Sequence, residues 1–83
     1  MYVWVVKTDW AVDGETGNSI AIYAGEDLAR KAFQEEVSAV RQNAEDREYV
    51  IEEDNDYFEA YQDGEFLLYH DTISVERIEV ITS

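Results

Sequence analysis

The chain has 83 residues, with twenty Asp and Glu against six Lys and Arg, and a formal net charge of −14. That length admits one domain, 1–83, and excludes a multidomain enzyme. Hydrophobic residues at 46% and aromatics at 13% exceed what a disordered acidic tail carries, and the lack of cysteine excludes disulfides, thiolate nucleophiles and cysteine-based zinc sites.

Met1 to Asp9 predicts a strand with Tyr2, Trp4 and Val6 on one face and Val3, Val5 and Lys7 on the other. Apolar residues on both faces place it centrally in a sheet. The turn residues from Asp13 to Asn18 predict a long hairpin connection to a second, antiparallel strand over Ile20 to Ala24. A helix follows. Gly25 suits its N-cap, and Glu26 and Asp27 complement the positive end of its dipole. Leu28, Ala29, Ala32, Phe33, Val37, Val40 and Ala44 form its apolar stripe, while Arg30, Lys31 and Arg41 lie on a solvated side of mixed sign.

From Glu45 to Glu65 the chain carries ten carboxylates and one arginine, which is −9 of the −14. Tyr49, Val50, Ile51, Tyr57, Phe58 and Tyr61 interrupt the acids at strand-like spacing. This predicts a strand over Glu48 to Glu53, an Asp54-Asn55-Asp56 turn and a strand over Tyr57 to Gln62. Tyr49 and Ile51 are expected to face the core, with Glu48, Val50, Glu52 and Asp54 facing water. A Gln62 to Glu65 turn leads to a strand over Phe66 to His70, and a turn at Asp71-Thr72 to a last strand over Ile73 to Ile81. The apolar parity of that last strand switches near Glu76-Arg77, which a β-bulge would accommodate. The order β-β-α-β-β-β-β is an α+β class: an antiparallel sheet of five to six strands with one helix on one face.

No phosphate loop, nucleophile elbow or paired-histidine metal motif is present, and an EF-hand spacing starting at Asp54 fails at its sixth position, Glu59. No metal and no cofactor are therefore expected. His70 beside Asp71 is the one candidate general base, and its ordinary reading is a packed, hydrogen-bonded strand-end histidine. Direct binding to nucleic acid is disfavoured by the charge. The inverse fits better: a domain ~30 Å across meets ~18 phosphates' worth of duplex, the same order as its own charge. Glu48, Glu52, Glu53, Asp54, Asp56, Glu59, Asp63 and Glu65 are the candidate partner-binding residues, standing in for phosphates in the groove of a basic nucleic-acid-binding protein of the host. Tyr57, Tyr61 and Trp10 are candidate anchors beside them. The bland alternative is acidity for solubility alone. A second is a structural or assembly module that forms a homodimer through its sheet, signalled by exposed Val3, Val5 or Phe66. No apolar run approaches the ~20 residues of a membrane span, and no signal peptide opens the chain, so a soluble, cytoplasmic protein is expected.

The stretches MYVWVVKTDWAVDGE, IAIYAGEDLARKAFQEEV and FEAYQDGEFLLYHDTISVERIEV resemble small acidic uncharacterised proteins of Firmicutes phages and mobile elements. In size and charge the chain is also similar to anti-CRISPR proteins, uracil-DNA glycosylase inhibitor and anti-restriction DNA mimics. The resemblance implies a genomic setting and an inhibitory, non-enzymatic role, and assigns no residue a function by position.

Overall fold

The computed structural model describes residues 1–62 and 69–81. Strands β1 (Tyr2–Val12) and β2 (Glu15–Tyr23) form a hairpin, helix α1 (Glu26–Asp46) follows, and β3 (Val50–Asp54), β4 (Tyr57–Tyr61) and β5 (Tyr69–Glu79) complete the chain. All pairings are antiparallel and the sheet order is β2-β1-β5-β4-β3. The α+β architecture read from the sequence is therefore present, with β1 in the interior of the sheet.

One helix covers one sheet face. Ala29, Phe33, Val37 and Ala44 of α1 pack on Val6, Phe58, Ala60, Ile73 and Val75, all of them buried. Pairing fixes which residues share that face: Val6 opposes Val75, Ile73 opposes Phe58, and Ala60 opposes Ile51. Tyr49 stacks on Tyr69, with ring centroids 4.6 Å apart, and closes one end of the core. Tyr49 and Ile51 thus face inward as expected. Leu28 does not. It is exposed, because the buried stripe begins one residue later at Ala29.

Four boundaries differ from the sequence reading. The long first connection is a two-residue turn, Asp13-Gly14, with φ of 50° and 87°. Thr16, Gly17 and Asn18 belong to β2, polar because that strand lies at the sheet edge. Asp71 and Thr72 do not turn but lie within β5. No bulge interrupts β5 either, since its register with β1 runs unbroken from Tyr2↔Glu79 to Val12↔Tyr69. The parity switch has another cause: Ile78 sits on the face away from the helix, opposite Val3, where exposure is tolerated. The expected turn at Gln62 to Glu65 and the residues up to 68 lie outside the described residues. Two eleven-residue strands also make the body longer than the ~30 Å expected, at 49 × 22 × 16 Å with a radius of gyration of 14.2 Å.

Glu48 is not in a strand. It follows the helix with φ 60°, its N–H donating to Glu45 O and the next N–H, of Tyr49, donating to Ala44 O. This is the double closure of a helix C-terminus in which glycine usually holds the left-handed position. Glu48→Gly is expected to raise stability by about 1 kcal/mol and Glu48→Val to lower it, measured by urea unfolding.

Gly17 pairs directly with Trp10, whose indole lies across it; a Cβ there would stand 2.3 Å from Trp10 Cζ2. Gly17→Ala should displace the indole, shift tryptophan emission and cost about 1 kcal/mol, a cost that vanishes in a Trp10→Ala background.

Candidate functional site

The antiparallel register sorts the acidic residues by face. Even-numbered positions of β3 and odd-numbered positions of β4 point away from the helix, so Glu52, Asp54 and Glu59 share the outer face, with Glu52 directly opposite Glu59. Tyr57 and Tyr61 stand on the same face. One strand further, Thr72 lies opposite Glu59, and beyond it Asp9 opposite Thr72. Glu52, Glu59 and Asp9 thus lie on one line across the sheet. Asp9 was not among the residues singled out from the sequence, because only the sheet order brings β1 next to β5.

Glu53 and Asp56 have other surroundings. Glu53 points to the helix side and forms a two-pronged ion pair with Arg41, one of whose bonds measures 3.0 Å. The guanidinium also lies 5.2 Å from the Phe58 ring centroid. The hydrogen bond to Arg41 holds the Glu53 carboxyl below the usual range. Asp56 sits in the β3–β4 turn, 2.5 Å from Arg30, which also donates to Asn55 O. The helix side called solvated from the sequence therefore supplies the two arginines that neutralise these acids. Of the eight candidates, Glu52, Asp54 and Glu59 stand together, Glu53 and Asp56 are paired on the helix side, Glu48 ends the helix, and Asp63 and Glu65 lie outside the described residues.

His70 lies on the outer face of β5 and its Nε2 meets Glu59 Oε2, with the Tyr61 ring edge-on at 6.4 Å. Hydrogen bonding to His70 lowers the Glu59 pKa, against the opposing effect of burial. Glu52, Glu59, Tyr61 and His70 line an open depression of about 290 Å³. Among the described residues no group of three or more acidic, histidine or cysteine side chains converges to hold a metal ion.

Asp71 is a half-buried acid. It lies on the helix side between Trp10 and Ala60, accepts a hydrogen bond from the Tyr69 hydroxyl at 3.2 Å, and keeps its buried Oδ1 without a partner. Burial raises its pKa, and the nearby charge of Glu36 adds to the rise. Burial and the Asp71 charge push the Tyr69 phenol up to about 12.

No protein-family model, curated protein or solved structure matches the chain. No described helix is long and apolar enough to cross a membrane.

The raised pKa means that folded Asp71 holds its proton more tightly than the unfolded chain does. Its contribution to stability therefore grows as pH falls toward ~4. Asp71→Asn should stabilise the fold at pH 7. That gain should shrink to nothing as the wild-type carboxyl protonates, as read from urea midpoints across pH.

Proposed function

We propose that the protein is a non-enzymatic inhibitor whose acidic sheet edge occupies the nucleic-acid-binding groove of a basic host protein, anti-CRISPR activity being the most specific form. The observation that carries this reading is the row of Asp54, Glu52 and Glu59 on the outer face, a face that no described element covers. Among the described residues these three acids pair with no arginine or lysine, the lysine of that face, Lys7, standing on β1 opposite Ile20, whereas Asp56 and Glu53 are matched by Arg30 and Arg41. Acidity serving solubility alone gives no reason for lysine and arginine to be withheld from this row while they pair with the neighbouring acids.

Dimensions support the same reading. A charge of −14 along a 49 Å body is about one per 3.5 Å, close to the ~3.4 Å per phosphate of a single DNA strand. Glu52 and Asp54 alternate along a strand, which spaces them ~6.7 Å apart, and strands ~4.8 Å apart set the other dimension of the array. Lysines and arginines that grip phosphates at such intervals can meet carboxylates instead. The net charge would steer a basic partner toward this face and speed encounter. Tyr57, 37% exposed beside Asp54, supplies a rigid apolar contact within the array.

Displacement from DNA tests this directly. Host lysate is loaded on a DNA matrix, and the protein is added at about 0.05 M and about 0.5 M salt. A mimic releases a discrete basic protein at low salt and loses that ability at high salt. Glu52→Lys with Asp54→Lys should abolish release while the circular dichroism spectrum is unchanged, and Asp56→Lys should have a smaller effect. Release of nothing, or equal release by the double variant, overturns the reading.

A further inference from the structure

The two edges of the sheet are built differently. Lysine, proline, bulges, charge and short length are the usual means by which an edge strand avoids pairing with another chain. β3 is five residues long and carries Glu52, Glu53 and Asp54. β2 is nine residues long, and its register with β1 is unbroken from Trp4↔Tyr23 to Val12↔Glu15. From Thr16 to Gly25 the chain has ten consecutive residues without charge or proline, its longest such run, although 31% of all its residues are charged. Within that run Ile20 is 60% and Ile22 67% exposed.

The backbone of β2 is also oriented for pairing. Val12 and Glu15 flank the two-residue turn, so that pair exchanges hydrogen bonds, and every second pair along the ladder does the same: Trp10↔Gly17, Thr8↔Ser19, Val6↔Ala21. The N–H and C=O groups of Thr16, Asn18, Ile20 and Ile22 consequently point away from β1, and among the described residues no strand meets them.

We propose that β2 pairs antiparallel with β2 of a second copy, joining two five-stranded sheets into one of ten strands. A two-fold axis at Ile20 gives the longest uncharged overlap, from Thr16 to Ala24, and sets Ile22 of each copy diagonal to Ile20 of the other. On the outer face Val5 lies opposite Ile22, with Val3 next along β1 and Ile78 opposite Val3, so the apolar patches of the two copies meet at the isoleucines, flanked by Lys7, which lies opposite Ile20.

The self-complementary overlap selects the occupant, and charge selects the edge. Two bodies of −14 can approach only where each is locally uncharged, and β2 has Glu15 alone, at its end. The span from Val50 to Tyr61, with Glu52, Glu53, Asp54, Asp56 and Glu59 and no lysine or arginine, lies at the opposite edge. With strands ~4.8 Å apart, the two β3 strands of the dimer stand ~43 Å apart, several times the ~8 Å Debye length. The acidic edge proposed for partner binding remains open in both copies, so the dimer does not depend on that function.

Sedimentation equilibrium on the full chain tests this. The expected species has twice the 9.6 kDa of one chain, and it tightens as salt rises from about 0.05 to about 0.5 M because screening relieves repulsion. That dependence is opposite in sign to the one expected for the basic partner. Ile20→Lys and, separately, Ile22→Lys should each weaken the dimer at least about tenfold with the monomer fold intact. Amide exchange at Asn18, Ile20 and Ile22 should slow on concentrating the protein, while Ser19 and Ala21 stay unchanged. A chain that remains monomeric at high salt and concentration, a dimer that both lysine variants leave intact, or a monomer whose β2 edge binds an extended segment of another protein would each overturn the proposal.

Discussion

The ladder between β1 and β5 is the joint on which the molecule depends. β1–β2 and β3–β4 are local hairpins, and each alone has a single sheet face and too little to bury. Eleven residue pairs between the beginning and the end of the described chain join them into one sheet. Val6 then stands with Val75 and Ile73 of β5 and Phe58 of β4, and only against that combined surface can Ala29, Phe33 and Val37 be buried. The core is small and centred on this joint. Substitutions at the sheet edges therefore cost less than those along it, which is why surface chemistry can differ so much from one edge to the other.

A single helix of 21 residues covers one side of five strands. Among the described residues nothing plays that part on the outer face, whose composition answers to solvent or to other molecules. Carboxylates and tyrosines gather where β3 and β4 lie, and isoleucines where β2 lies. Arg30 and Arg41 of the helix neutralise Asp56 in the β3–β4 turn and Glu53 on the helix side, but the register turns Glu52, Asp54 and Glu59 to the other face. The face is thereby polarised, acidic at one edge and uncharged at the other. The proposed inhibitor surface and the proposed dimer edge are the two ends of that polarity.

Sequence periodicity was most informative where burial is one-sided and complete. The helix was legible from Ala29, Phe33, Val37 and Ala44 because one stripe faces the core, and Leu28 misled because it satisfies the spacing while lying just outside it. Tyr49 and Ile51 were legible inward for the same reason. Thr16 to Asn18 and Asp71-Thr72 look like turns in sequence because polar and small residues in a strand carry the same local signature as a turn. Their neighbours in the sheet, absent from any local window, hold them extended. The parity switch at Ile78 implies a bulge only if every apolar residue is buried, and the open outer face leaves Ile78 exposed without one.

The sequence by itself determined the class of the fold, the inward faces of helix and strands, and the concentration of negative charge between Glu45 and Glu65. Those properties depend on neighbours a few residues apart, and the chain's own periodicity records them. Only the tertiary structure decided which carboxylates act together. Placing Asp9 in line with Glu59 and Glu52, giving Glu53 and Asp56 to arginines, and sending β2 and β3 to opposite edges all follow from the β1–β5 pairing. That pairing joins residues some seventy positions apart, and its register is set by burial against the helix, which no local pattern contains.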